Sequence, residues 1–126
     1  MTILVGYTRT PEGQAALRHG VETAGTTGKP LSIFPLSDKA EDTTNDDGSL
    51  EAALAGGARL LERDPQGRHP AEELIDTAQE AGAELVVIGV RNRSRVSKIL
   101  LGSDAQSIIL GSPVPVLTVK AATDER

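Results

Sequence analysis

The residues of this chain best suited to chemistry lie in the stretch Gly89 to Ser103, GVRNRSRVSKILLGS, and the chemistry they suit is the holding of an anion. Gly89 and Gly102 have no Cβ, so the main chain there can come close to a ligand. Ser103 offers a hydroxyl and opens a helical pattern, DAQSIIL, whose first amides and positive dipole end favour phosphate. Arg91, Arg93 and Arg95 bring cations into the same span. The residues also allow a plainer reading. Ser103 with Gln106 is S-x-x-Q, a capping box that needs no ligand, and arginines on surface loops are often simply solvated. On spacing alone both readings stand.

The elements that must position this loop alternate along the chain. ELVVIG (84 to 89) is an almost unbroken apolar run, as a parallel strand buried on both faces should be. The loop therefore leaves the carboxyl end of a strand, where a doubly wound sheet keeps its ligand site. Upstream, residues 2 to 7 read as a first strand, and Thr10 with Pro11 as the cap and first position of a helix. That helix is expected to run to about Ala24, with Leu17, Val21 and Ala24 on its inner face and TTGKP ending it. Residues 31 to 36 are the second strand, ended by Pro35, which has no amide for the ladder. The acidic stretch 37 to 48 reads as a mobile loop.

Ser49 then caps a short helix that ends at Gly56-Gly57. ARLLER (58 to 63) is the expected third strand, although the same letters could prolong that helix. Pro70 opens a third helix with Leu74, Ile75, Ala78 and Ala81 inward and Gly82 closing it. The fourth strand is expected over 84 to 90, a helix over 104 to 110, a fifth strand over 114 to 120 and a frayed tail over 121 to 126. Alternation of this kind implies an α/β fold, a doubly wound five-stranded parallel sheet in the order 3-2-1-4-5 with helices on both faces. The switch point then falls between strands 1 and 4, and the Tyr7 to Thr10 turn comes beside the 89 to 103 loop.

Composition narrows the function classes. The 126 residues suit a single domain. With 13 Lys plus Arg against 18 Asp plus Glu, the net charge of -5 speaks against nucleic acid as the main partner. The absence of cysteine removes disulfides, thiol catalysis and cysteine metal sites, and no metal site is expected. No apolar stretch approaches the ~20 residues that span a bilayer, and MTILVGY runs straight into a strand without the pattern of a signal peptide. A soluble, cytoplasmic protein with no membrane partner is expected.

The loop resembles the nucleotide loop of the universal stress protein family, G-x2-G-x9-G-[ST], followed by a helix and a strand rich in Pro and Val. Here the matching residues are Gly89, Asn92 and Gly102-Ser103, then DAQSIIL and SPVPVLTVK (112 to 120). TILVGYTRTPEGQAAL (2 to 17) and HPAEELIDTAQEAGAELVVIG (69 to 89) extend the similarity, and only 37 to 57 lies outside it. The resemblance implies a Rossmann-like fold of the adenine nucleotide alpha hydrolase type, with ATP or AMP as ligand and Mg²⁺ as a companion. It places the base against Leu36, the ribose near Thr8 within the turn Tyr7, Thr8, Arg9 and Thr10, and phosphates on Gly102, Ser103 and the Arg91-Asn92 main chain. Ile88, Gly89 and Asp104 complete the implied site.

The chain departs from the family pattern at two positions, and a third residue competes with the expected ligand. Asn92 replaces the second motif glycine, reaching left-handed angles only at some cost. Thr8 stands where relatives usually offer an Asp, and Asp104 would compete with phosphate for the helix end. Family resemblance also implies a homodimer built on the last strand, where Val114 and Val116 face one way and Leu117 and Val119 the other, with Thr118 between. An exposed apolar edge strand needs a cover.

Rival sites lack their parts. A receiver domain needs clustered acids at the end of strand 1, where this chain has Tyr7-Thr8. A flavin site usually stacks on aromatics, and the chain has one Tyr, one Phe and no Trp. His19 and His69 suit a helix surface and a helix start better than catalysis, and no Walker lysine follows the glycines. Three readings follow: a nucleotide-responsive binding module that is not an enzyme and acts on an unknown protein partner, a dimeric scaffold without nucleotide, and a slow ATP hydrolase.

Overall fold

The computed structural model describes residues 2–36, 48–92, 99–100 and 102–121. The elements are β1 (Thr2–Tyr7), α1 (Pro11–Thr27), β2 (Leu31–Pro35), α2 (Ser49–Ala55), β3 (Arg59–Leu60), α3 (Pro70–Glu80), β4 (Ala83–Asn92), β5 (Ile99–Leu100), α4 (Ser103–Gly111) and β6 (Val116–Lys120). Five strands pair in parallel in the spatial order β3-β2-β1-β4-β6, which is the expected 3-2-1-4-5 when parallel strands alone are counted. The extra strand, β5, turns back antiparallel on the tip of β4, pairing Leu100 with Arg91 and Ile99 with Asn92.

The apolar runs become central strands because both faces of the sheet are covered. Every residue of β1 is buried. Side chains alternate across the sheet: Ile3, Val5, Ile33, Val87 and Val119 pack under α1 and α2, while Leu4, Phe34, Val86 and Ile88 pack on the face that meets Leu74 of α3 and Ile108 of α4.

Several expectations change. The first helix continues past Ala24 to Thr27, because the left-handed residue that ends it is Gly28 (φ 72°), with the Lys29 amide donating to the Ala24 carbonyl. Val21 is 41% exposed, and Gly20 faces the sheet instead. A Cβ on Gly20 would run into Val5, so close approach of α1 to β1 selects the smaller residue at the cost of the apolar one. The third strand shrinks from 58–63 to Arg59–Leu60, an edge strand exposed on both faces, with one further bond from the Leu61 amide to the Ile33 carbonyl at 2.9 Å. Ala81 is exposed, since α3 stops at Glu80 and Ala81 is its cap ahead of Gly82 (φ 67°). The fourth strand also runs longer than 84–90, to Asn92. The loop expected over 37–48, apart from Gly48, and the tail over 122–126 lie outside the described residues.

Candidate functional site

The carboxyl ends of β1 and β4 stand side by side, with Gly6 paired to Ile88, so the Tyr7–Thr10 turn and the chain leaving Gly89 converge as the topology requires. Tyr7 is buried within the α1-side core, and its carbonyl accepts a hydrogen bond from the Leu36 amide at 2.9 Å. Thr10 is the N-cap of α1, and its Oγ1 accepts from the Gly13 amide at 3.0 Å. The Thr8 hydroxyl is 2.8 Å from that same Thr10 oxygen. Thr8 is thus built into the cap of α1, while Arg9 is exposed. Leu36 is half-buried and leans over Gly6, where a Cβ would stand 2.9 Å from Leu36 Cδ1.

The two motif glycines turn out to answer different demands. A Cβ on Gly89 would collide with the carbonyl of Glu12, in the first turn of α1. Helix packing by itself therefore requires a glycine here, independently of any ligand. Gly102 is the opposite case. Its backbone (φ -66°, ψ 167°) is extended and open to any residue, and among the described residues nothing lies within 4 Å of a Cβ placed there.

Gly102, not Ser103, is the N-cap of α4, and it makes no side-chain cap. Ser103 is the first helical residue and is exposed, so the capping box read from S-x-x-Q does not form with Ser103 as its cap. The Gln106 amide closes the first turn on the Gly102 carbonyl at 3.0 Å. Asp104 lies half-buried in that turn. The two helix ends here therefore differ: the amino end of α1 is closed by its own Thr10, whereas that of α4 begins at a glycine with no side chain to cap it. Such an end holds an anion through N–H groups and the helix dipole.

The remaining site residues divide in the same manner. Ile88 is 1% exposed with its side chain in the α3-side core, so only its main chain can face the site. Arg91 and Asn92 belong to β4 and pair with β5, and Asn92 is an extended strand residue and not a left-handed turn. Arg93 and Arg95 lie outside the described residues. The last strand, expected over 114–120, begins only at Val116, after Pro113 and Pro115, so Val114 precedes it. Val119 is buried, Val114 and Val116 are half-buried against the α3-side core, and Leu117 and Thr118 are exposed.

An open groove of about 370 Å³ lies at the other end of the sheet, between the carboxyl ends of α1 and α2, lined by Ala24, Gly28, Pro30, Ala53 and Gly57. It holds none of the converging groups. Sequence reasoning missed an ion pair at the end of β2: Glu73 of α3, 3% exposed, accepts from Arg63 Nε at 2.6 Å. No periodic pattern marks it. Among the described residues no cluster of His, Asp and Glu could hold a metal, and no helix is long and apolar enough to cross a membrane.

The same arrangement is found in known proteins. The profile of the universal stress protein family matches residues 1–120. A universal stress protein of Mycolicibacterium smegmatis is 38% identical over 125 residues, covering 94% of this chain and 96% of that one. A solved universal stress protein from Archaeoglobus fulgidus superposes with a TM-score of 0.65 at 29% identity, over 94% of this chain and 97% of the other. A structure from the same organism, of a universal stress protein in complex with dAMP, superposes at 0.63 with 23% identity, over 94% of this chain and 96% of the other. Both solved proteins share the Rossmann-like arrangement of this chain.

Proposed function

Because the chain belongs to the universal stress protein family, we propose that it is a small adenine-nucleotide-binding module that takes AMP or ATP at the switch point between β1 and β4. The phosphates would lie on the amino end of α4, at Gly102 and Ser103, with the ribose near Thr8 and the base against Leu36. The observation that carries this reading is Gly102, a glycine that neither backbone angle nor packing among the described residues requires, set as the N-cap of a helix with no side chain of its own to cap it. A relative of the same fold, the Archaeoglobus protein solved with dAMP, supports the ligand class. Binding would act through ligand-dependent contacts with a protein partner in the cytoplasm, and not through turnover. The protein would work as a homodimer in which Val116 to Val119 of β6 pair with their counterparts in a second copy.

One observation favours a second reading, the scaffold without nucleotide. The Thr8 hydroxyl sits in the α1 cap with Thr10, which draws it away from a ribose. Melting with AMP, and with ATP and Mg²⁺, decides between the two. Ligand at 100 times its Kd stabilises the fold by about 2.7 kcal/mol, which for 126 residues is a rise in Tm of about 10 °C. No shift at millimolar nucleotide supports the scaffold, and appearance of ADP on prolonged incubation would support slow hydrolysis.

A further inference from the structure

The end of β2 is gripped by groups that the nucleotide reading leaves unused. Glu73 spans two donors, Arg63 Nε on one carboxylate oxygen and the Asp64 amide on the other, each at 2.6 Å. So anchored, Arg63 extends Nη1 to the Pro35 carbonyl at 3.3 Å, and its guanidinium lies 5.4 Å from the centroid of the Phe34 ring. The same peptide unit is held from its other side, since the Leu36 amide donates to the Tyr7 carbonyl at 2.9 Å. The Pro35–Leu36 peptide is thus fixed at both its carbonyl and its amide. The β3 ladder does not do this, because its last bond is made to Ile33. A buried ion pair is on balance weak evidence for stability, so its effect is to be sought in what it orients.

We propose that Arg63 is a positioning residue for the base of the bound nucleotide. By fixing the Pro35–Leu36 peptide it sets the direction in which Leu36 faces the switch point, and so the wall on which a base would lie. This role rests on the nucleotide reading and adds the turn between β3 and α3 to the site.

The test compares AMP with ribose 5-phosphate, which has the sugar and phosphate but no base, by NMR titration of wild type and Arg63→Lys. Lysine keeps a cation beside Glu73 but cannot reach Glu73 and the Pro35 carbonyl together. The expected result is AMP affinity weakened by about three- to tenfold, the range of one lost hydrogen bond, with ribose 5-phosphate unchanged. Equal loss of both ligands would make Arg63 merely structural and overturn the proposal, as would unchanged AMP affinity. If Arg63→Lys fails to fold, the double variant Arg63→Met with Glu73→Gln removes the charges together, keeps an acceptor for the Asp64 amide, and is read in the same way. A wild type that binds neither compound would overturn the nucleotide reading itself, whereas with a wild type that binds AMP the outcome bears on Arg63 alone.

Discussion

Gly89 and Gly102 belong to one motif, yet substitutions at them should fail in opposite ways. At Gly89 a methyl group would meet the Glu12 carbonyl oxygen and carbon. Those atoms are main chain in the first helical turn, so relief requires α1 to lift from β4. Overpacking of this kind costs about 1–3 kcal/mol, and at 126 residues each kcal/mol lowers Tm by about 4 °C. Gly89→Ala should therefore melt about 4–12 °C below wild type. At Gly102 an added Cβ meets no described atom, and Gly102→Val keeps an extended backbone that valine accepts readily. Removing a glycine from the unfolded chain gains about 0.4–1 kcal/mol at a compatible site, so Tm should hold or rise slightly.

Binding reverses the order. The valine methyls would occupy the space over the first amides of α4, and calorimetric titration should find ATP affinity lowered by more than about tenfold, a loss above ~1.4 kcal/mol. The assays are calorimetric melting and titration on the same samples. A Gly102→Val protein that melts as low as Gly89→Ala would show that the glycine serves the fold. One that melts normally and binds ATP like wild type would remove the phosphate site from α4. An undisturbed Gly89→Ala would refute the packing argument at α1.

Two further expectations concern the edge and the cap. Leu117 is 38% exposed on β6, which among the described residues pairs only with β4. A two-fold interface uses each residue twice, so Leu117→Lys should turn a dimer into a monomer in sedimentation at micromolar concentration, and a monomeric wild type would dismiss the interface. Thr10→Ala removes the acceptor for the Gly13 amide and the partner of the Thr8 hydroxyl. Loss of such a cap costs about 1 kcal/mol, measurable by urea denaturation, and an unchanged midpoint would mean that solvent replaces the cap at no cost.

What could be read from the letters alone followed from burial. β1 and β4 are legible because a parallel strand covered on both faces must be apolar throughout, and α3 because Leu74 and Ala78 recur at helical spacing with Pro70 at the start and Gly82 past the end. The failures have a different origin. Hydropathy selects Val21 over Gly20 for the core, but the distance between α1 and β1 is set by steric contact, and contact admits only the glycine. Ser49 and Ser103 both look like caps, yet each follows a glycine that takes the cap position and leaves the serine one residue inside the helix. Arg63 and Glu73 are ten residues apart in sequence and meet only because a turn at Asp64 to Gly67 folds the chain back, with Gln66 (φ 49°) and Gly67 (φ 81°) left-handed.

The candidate site suffers from the same ambiguity in its most telling residue type. A glycine is written into a sequence for at least two unrelated reasons, close approach of the protein's own backbone and close approach of something else, and the letter does not distinguish them. Gly89 answers to the first and Gly102 to neither backbone angle nor described neighbour. A motif match weighs the two equally. The structure does not: at the start of α4, where the family resemblance already places phosphate, no described neighbour accounts for the bare glycine, while Gly89 explains why α1, with Thr8 and Thr10 at its head, lies so close to the same strand end. The closeness of the Thr8–Thr10 cap to the end of β4 is then a consequence of the packing of α1 against Gly89.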